Sequence, residues 1–432
     1  MVKKKLSKKL TIFDVYAVST GAMFSSGFFL LPGLAAMETG SSVYLAYLAA
    51  GFLILPSMFS VAELSTAMPK AGGAYYFLDR SLGPLVGTIG GLGSWIALIF
   101  KSAFALIGMG AYLTLYVDVP MIPLALVLTL AFGLLNIFGA KETALLQRVL
   151  VTALVLIMAF FLIVGLNYMF TPENSVDLRG QTDFFTNGVN GFISTIGLVF
   201  VSYAGLTKVA SIAEEVQNPD WSIPMGMIFS LITASLVYVV GVFIMVKVLP
   251  TDQFYASLTP VADVGEIVMS FMPSSTGVLL IVIAAIAAFA STGNAGILSA
   301  SRYPLAMSRD GLLSPVFQTI GRFKTPHTSV IVTTIIMAAV LLLFDVEAVA
   351  KLASAFQLLL FGLINLSVIV MRESQIEAYK PGYKSPLYPW IQIFGMIISM
   401  WLIAEMGLLA VGLTGADRKS TRLNSSHQII SY

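Results

Sequence analysis

The 432-residue chain contains no cysteine and two histidines, His327 and His427, neither inside an apolar run. Disulfides, thiolate metal sites and cysteine nucleophiles are therefore excluded, and histidine chemistry has almost nothing to work with. Charge is scarce too. Charged residues make up 11% of the chain, against about 25% in a soluble domain, so most of the surface cannot face water. No HExxH or GxSxG pattern occurs within the apolar segments, which leaves an embedded enzyme without a constellation to use. Neither a cofactor nor a nucleic-acid partner is expected, and a formal charge of +2 says little until its placement is known.

What the chain has is hydrocarbon: 57% hydrophobic residues and a mean hydropathy of +0.90. A membrane-spanning helix needs about 20 apolar residues. Runs of that kind occur near 11–36, 43–67, 84–116, 121–138, 145–167, 190–212, 225–248, 276–305, 328–344, 348–371 and 388–413, which predicts eleven passes through a lipid bilayer. If the N-terminus is cytoplasmic, the cytoplasmic segments hold Lys3, Lys4, Lys5, Lys8, Lys9, Lys70, Arg80, Lys141, Arg148, Arg302, Arg309, Arg322, Lys324, Arg372, Lys380 and Lys384. The opposite loops hold only Arg179, and this asymmetry is the one that fixes orientation in a cell membrane. Arg418, Lys419 and Arg422 fall on the wrong side. They belong to "DRKSTRLNSSHQIISY", which resembles a translated sequencing adapter and is set aside from the fold. The expected transporter domain is 1–416, with 417–432 a non-native tail.

Two runs are built to come apart. "GAMFSSGFFLLPG" (21–33) puts two serines, three glycines and a proline inside the first run, and "SYAG" (202–205) interrupts the sixth. Unpaired backbone is tolerated at membrane depth only where it lines a cavity or is buried in protein. Small residues also serve as helix-packing faces, so a single such run leaves both readings open. The pairing decides between them. The first run opens five helices (11–167) and the sixth opens the next five (190–371) in the opposite orientation. Broken helices at matching positions of two halves point to an inverted-repeat transporter with a midplane site.

At these residues the chain resembles the amino acid–polyamine–organocation superfamily of permeases, in its prokaryotic amino acid permease branch. "GAMFSSGFFLLPG" is similar to the family's first-helix signature, and "AELSTAMPKAGGAYYFLDRSLGP" (62–84) to the loop after its second helix. "FVSYAGLTKVASIAEEVQNPDWSIP" (200–224) and "LSASRYPLAMSRDGLLSP" (298–315) resemble its sixth helix and the end of its eighth. The resemblance implies an all-α, leucine-transporter-like fold of ten core helices in two inverted repeats, with 388–413 a peripheral eleventh helix and the twelfth missing. It implies amino acid transport by alternating access, proton-coupled or by exchange with a counter-substrate. A polyamine or other organic-cation carrier, and a nutrient sensor on the same fold, are the alternatives. Two departures stand out. Many members have a glutamate after the "GF" of the sixth helix, where this chain has "GL" and Thr207, and many proton-coupled members have a lysine in the fifth helix, absent here.

The resemblance assigns roles residue by residue. The amides of Ser25, Ser26 and Gly27 would hold a substrate carboxylate, and the carbonyls of Met23, Val201 and Ser202 its ammonium group. Tyr203, Ala204, Gly205 and Leu206 would shape the pocket beside it. Ser291 and Thr292 match the region where sodium-coupled relatives hold an ion, although serine and threonine often only bond the preceding turn. Lys101 lies more than a turn from either end of the third run. A lysine at such depth costs about 2.5–3.5 kcal/mol on insertion scales, so it should face a cavity or a partner, or else snorkel. No acid lies deep in any run except Glu405, which makes Lys101 the expected coupling group. Glu214 and Glu215 read as structural, and Asp220 as a cap for the seventh helix.

Overall fold

Each of the eleven apolar runs forms helix within its described residues. The computed structural model describes residues 10–69, 73–138, 144–171, 184–273, 276–323 and 325–406. Lys3, Lys4, Lys5, Lys8, Lys9, Lys70, Lys141, Arg179 and Lys324 lie outside the described residues, as do residues 407–413 of the last run and the tail 417–432.

The first run is divided into α1 (Ile12–Met23), α2 (Ser26–Phe29) and α3 (Leu31–Thr39). The second comprises α4 (Val43–Leu53) and α5 (Leu55–Ala67). α6 (Gly73–Leu113) carries a kink at Gly83, whose φ of 84° only glycine adopts cheaply, followed by Pro84. The kink separates the loop motif from the third run. α7 (Met121–Phe138) and α8 (Ala144–Phe170) form the fourth and fifth. The sixth contains α9 (Gly188–Val199) and α10 (Lys208–Ile212), the seventh is α11 (Pro219–Val248), and two short helices, α12 (Thr251–Ala256) and α13 (Pro260–Val268), follow it. α14 (Thr276–Ala300) and α15 (Arg302–Arg309) form the eighth, then come α16 (His327–Leu343), α17 (Val346–Glu373) and α18 (Trp390–Glu405).

Eight of the described helical stretches are long and apolar enough to cross a membrane, and Ile12–Met23, His327–Leu343 and Trp390–Glu405 are shorter apolar helices. Burial separates core from periphery. In the most apolar window of α6, 83% of residues are buried, against 22% in α7, so the third run is the inner post and the fourth faces outward. α6 packs along both α14 and α17, while α1 packs along α11 and α8.

Each face of the bundle is tied shut. On the face that carries the N-terminus, Leu10 pairs with the strand-like end of the sixth run: its amide donates to the Glu215 carbonyl (3.0 Å) and its carbonyl accepts from Gln217 (2.8 Å). Close by, Arg148 of α8 grips the buried Asp14 of α1 through Nε and Nη2. On the opposite face, Lys351 of α17 bonds Glu38 of α3 (3.1 Å) and its own neighbour Glu347 (2.6 Å). There too the Thr39–Ser42 turn exchanges backbone bonds with Phe184 and Thr186.

One expected cap is corrected. Asp220 does not cap α11: Asn218 occupies that place in a left-handed conformation (φ 46°), with Pro219 at the first helical position, and Asp220 falls inside the first turn.

Candidate functional site

The first run breaks where its serines begin. Phe24 ends α1 with ψ of 87°, and Ser25 is non-helical (φ −153°, ψ −128°) before the chain re-enters helix at Ser26. A second hitch at Leu30 precedes Pro32, which has no N–H to offer the ladder and crowds the carbonyl four residues back. The amides of Ser26 and Gly27 donate to no backbone carbonyl among the described residues, while the Ser25 amide turns back onto the Met23 carbonyl (2.8 Å).

The sixth run does not break. The expected interruption at 202–205 is replaced by continuous helix that tightens to a 3₁₀ winding over Phe200–Thr207, between α9 and α10. The physical reason is twofold. No proline lies between Gly188 and Asn218 to force the chain out of helical space. The hydrogen bond lost in the change of winding is also replaced from outside: the Ser354 hydroxyl of α17 donates to the Leu198 carbonyl (2.6 Å) and accepts from the Val201 amide (3.2 Å). A 3₁₀ stretch of eight residues is long for its kind, and mid-helix stretches of this sort mark hinges or strained sequence.

All ten substrate-site candidates come together and all are buried: Met23, Ser25, Ser26 and Gly27 from the first run, Val201, Ser202, Tyr203, Ala204, Gly205 and Leu206 from the sixth. Two glycines make the approach possible. A Cβ on Gly27 would stand 2.5 Å from the Ser202 side chain, and one on Gly205 would stand 2.7 Å from the backbone of Ala22 and Met23. The two segments thus touch, with Ser202 Oγ donating to the Gly27 carbonyl (3.4 Å), instead of standing apart across a cavity.

The freed carbonyls are served by the hydroxyls of Tyr47, Tyr112 and Tyr238, which sequence reasoning missed. Tyr47 of α4 donates to the Gly27 carbonyl (2.6 Å), Tyr112 of α6 to Phe29 (2.9 Å), and Tyr203 to the Tyr47 carbonyl (2.9 Å). Tyr238 of α11 lies between the Met23 and Ser202 carbonyls, at 2.7 and 3.2 Å. All four tyrosines are fully buried. A buried tyrosine needs a partner for its hydroxyl, and that requirement was the available signal. The rings of Tyr47, Tyr203 and Tyr238, with Phe24 and Phe28, form an aromatic cluster beside the break, in which Phe28 stacks on Tyr238 at 5.9 Å.

The coupling candidates lie nearby. Lys101 is buried (8% exposed) and makes no hydrogen bond or ion pair among the described residues. Ser291 donates to Gln147 of α8 (3.3 Å), and Gln147 in turn donates to the Ala17 carbonyl of α1 (3.5 Å). Gln147, another residue the sequence did not flag, therefore joins the first, fifth and eighth runs. Gly21, Gln147 and Ser291 line a small, otherwise apolar fissure of about 110 Å³. Thr292 is buried with its hydroxyl unpaired among the described residues, as is Thr20 on α1. No group of three or more metal-ligating acids or histidines occurs among the described residues.

The comparisons with known proteins agree with this architecture. The family model for amino acid permeases matches residues 14–432. The chain is 25% identical to the methylthioribose transporter of Bacillus subtilis, over 93% of this chain and 89% of that one. It is 26% identical to the branched-chain amino acid permease of the same organism, over 95% and 90%. It is 30% identical to cationic amino acid transporter 3 of Arabidopsis thaliana, covering 85% of this chain but only 63% of that longer protein. A multi-pass helical bundle with a broken first helix, matched over nearly its whole length by one transporter family, is a transporter and not an enzyme: the chain belongs to the amino acid permease family.

Proposed function

We propose that this chain is a secondary transporter that carries an amino acid across the cytoplasmic membrane by alternating access, with its N-terminus in the cytoplasm. In this reading 1–416 is one transporter domain, 11–167 and 190–371 are inverted five-helix repeats, and 388–413 is peripheral. The observation that carries it is the position of Tyr238, whose single hydroxyl proton serves two carbonyls, Met23 and Ser202, beside the amides of Ser26 and Gly27, unpaired among the described residues. A substrate ammonium has three protons and a full charge for those carbonyls, and its carboxylate suits the amides. The substrate therefore replaces an internal hydroxyl bolt and opens a space between two segments that otherwise touch.

Alternation follows from the two closures. Releasing Asp14–Arg148 and the Leu10 pairing opens one face, and releasing Glu38–Lys351 opens the other. Lys101, with no acid partner among the described residues, is the proposed proton carrier or fixed cation, and the region of Gln147, Ser291 and Thr292 is the alternative seat of coupling. The relatives' names mention branched-chain and cationic amino acids and a thiosugar, so family alone does not choose the side chain. The aromatic cluster favours a neutral one. The buried acids Asp14 and Glu63 are both committed to arginines.

Uptake of a panel of labelled amino acids into proteoliposomes, with and without a pH gradient, tests the proposal. Saturable, trans-stimulated uptake of neutral amino acids supports it. Saturable binding with no uptake would identify a sensor instead.

A further inference from the structure

Between the end of α17 and the start of α18 lies an open cleft of about 440 Å³, lined by Arg372, Gln375, Ile376, Tyr379, Lys380 and Lys384 among others. Three of its lining side chains are cationic and none is acidic. Arg372 is already engaged: it holds Glu63 of α5 in a two-pronged ion pair (2.8 and 2.6 Å) and stacks on the Tyr388 ring at 4.2 Å. Lys380 and Lys384 are exposed and make no hydrogen bond or ion pair among the described residues. Three acids stand around the cleft without lining it: Glu373 accepts from the Tyr388 hydroxyl (2.6 Å), Asp220 lies against Gly382, and Glu377 belongs to the same segment.

Two further features distinguish this segment from an ordinary solvated loop. It is rigidly seated, because Glu63 also accepts from the Ser385 amide (2.7 Å) and the Tyr379 hydroxyl (2.9 Å), and Thr66 accepts from the Tyr383 amide (3.2 Å). The walls of the cleft are thus set before any ligand arrives, which lowers the entropy lost on binding. It is also edged with apolar side chains that do not suit water: Leu387 is 77% exposed, Trp390 74% and Ile376 48%. Exposed tryptophan and leucine beside free lysines, at the junction of two membrane-crossing helices, is the pattern of a bilayer interface.

We propose that this cleft binds the phosphate headgroup of an anionic phospholipid, with Lys380 and Lys384 on the phosphate oxygens and Ile376, Leu387 and Trp390 against the glycerol and upper acyl chains. The shared chemistry with free phosphate is the anion, and the apolar rim is what selects the lipid.

The test uses the full chain, purified in neutral detergent and mixed with phosphatidylglycerol or phosphatidylcholine, with lipid retention read by native mass spectrometry. Phosphatidylglycerol should be retained preferentially. In the double variant Lys380→Gln/Lys384→Gln that preference should fall about tenfold or more, since each cation near an anionic surface contributes substantially. Arg309→Gln/Arg322→Gln, which removes the same charge from another loop of that face, should leave it unchanged. Equal retention of both lipids, or wild-type preference in the lysine variant, overturns the proposal. Displacement of the lipid by millimolar inorganic phosphate overturns the lipid assignment and leaves a free-anion site. Because uptake is not the readout, failure here is distinct from failure of the transport reading.

Discussion

The first and sixth runs carry the same kind of residues and meet in the same place, yet one is broken and the other is not. The first has Pro32 and two non-helical residues, Phe24 and Ser25, and its exposed carbonyls are served by tyrosines from three other helices. The sixth has three glycines, no proline and a borrowed serine, and it stays helical at a tighter pitch. Small residues permit a helix to open, and proline together with outside donors makes it do so. In the proposed transport cycle the pair divides labour: a fixed opening in the first run supplies amides and carbonyls, and the continuous sixth run changes its winding against it.

The comparison is broken most directly at its point of contact. Ser26→Pro removes an amide and Gly27→Val drives a side chain into Ser202, so both should abolish amino acid binding while the protein stays folded and membrane-inserted. Equilibrium binding to purified protein checks this, and unchanged affinity in either variant would place the site elsewhere. Next in size is coupling. Lys101→Ala should remove the pH-gradient-driven part of uptake, and Lys101→Arg, which fixes the charge, should stall cycling. If both keep wild-type dependence, the coupling ion belongs near Ser291 and Thr292.

Two smaller effects sharpen the contrast. Tyr238→Phe leaves the Met23 and Ser202 carbonyls short of a donor, which weakens the closed, substrate-free state by about 1–3 kcal/mol. Its melting temperature should fall, and the rise produced by adding substrate should exceed that of wild type. A smaller rise would mean that Tyr238 contacts the substrate itself. Ser354→Ala removes the patch on the sixth run and should cost about 1 kcal/mol of stability with uptake retained. Loss of uptake without loss of stability would show instead that the serine acts in the transport cycle.

Much of this was legible in the sequence, for physical reasons that also mark the boundary. Spanning helices announce themselves because lipid demands about 20 apolar residues, and the predicted runs match helices such as Met121–Phe138 to the residue. The opening at Ser25 was legible because glycine, serine and proline coincide there. What was not legible are partners contributed from far along the chain. Tyr238 lies 215 residues from Met23, Ser354 lies 153 from Val201, and Gln147 lies 144 from Ser291. A hydroxyl or amide in an apolar run states a need for a partner without naming it. The expected break in the sixth run failed because that need was met by Ser354, a residue no local pattern connects to it.

Glu63 and Arg372 raise a matter of timing. Glu63 is fully buried and its carboxylate depends on an arginine made 309 residues later. During synthesis the second run enters the membrane with that acid unpartnered, and an unpaired buried charge is strongly unfavourable. Its position four residues from the end of α5 at Ala67 resolves the difficulty, since about 6 Å of helix separates it from the interface where water can hold it. The arrival of the tenth run should then let α5 settle to its final depth. Chains truncated before residue 372 should leave a cysteine placed at Ser65, with Glu63 kept, open to water-soluble alkylating reagents, and chains that include α18 should protect it.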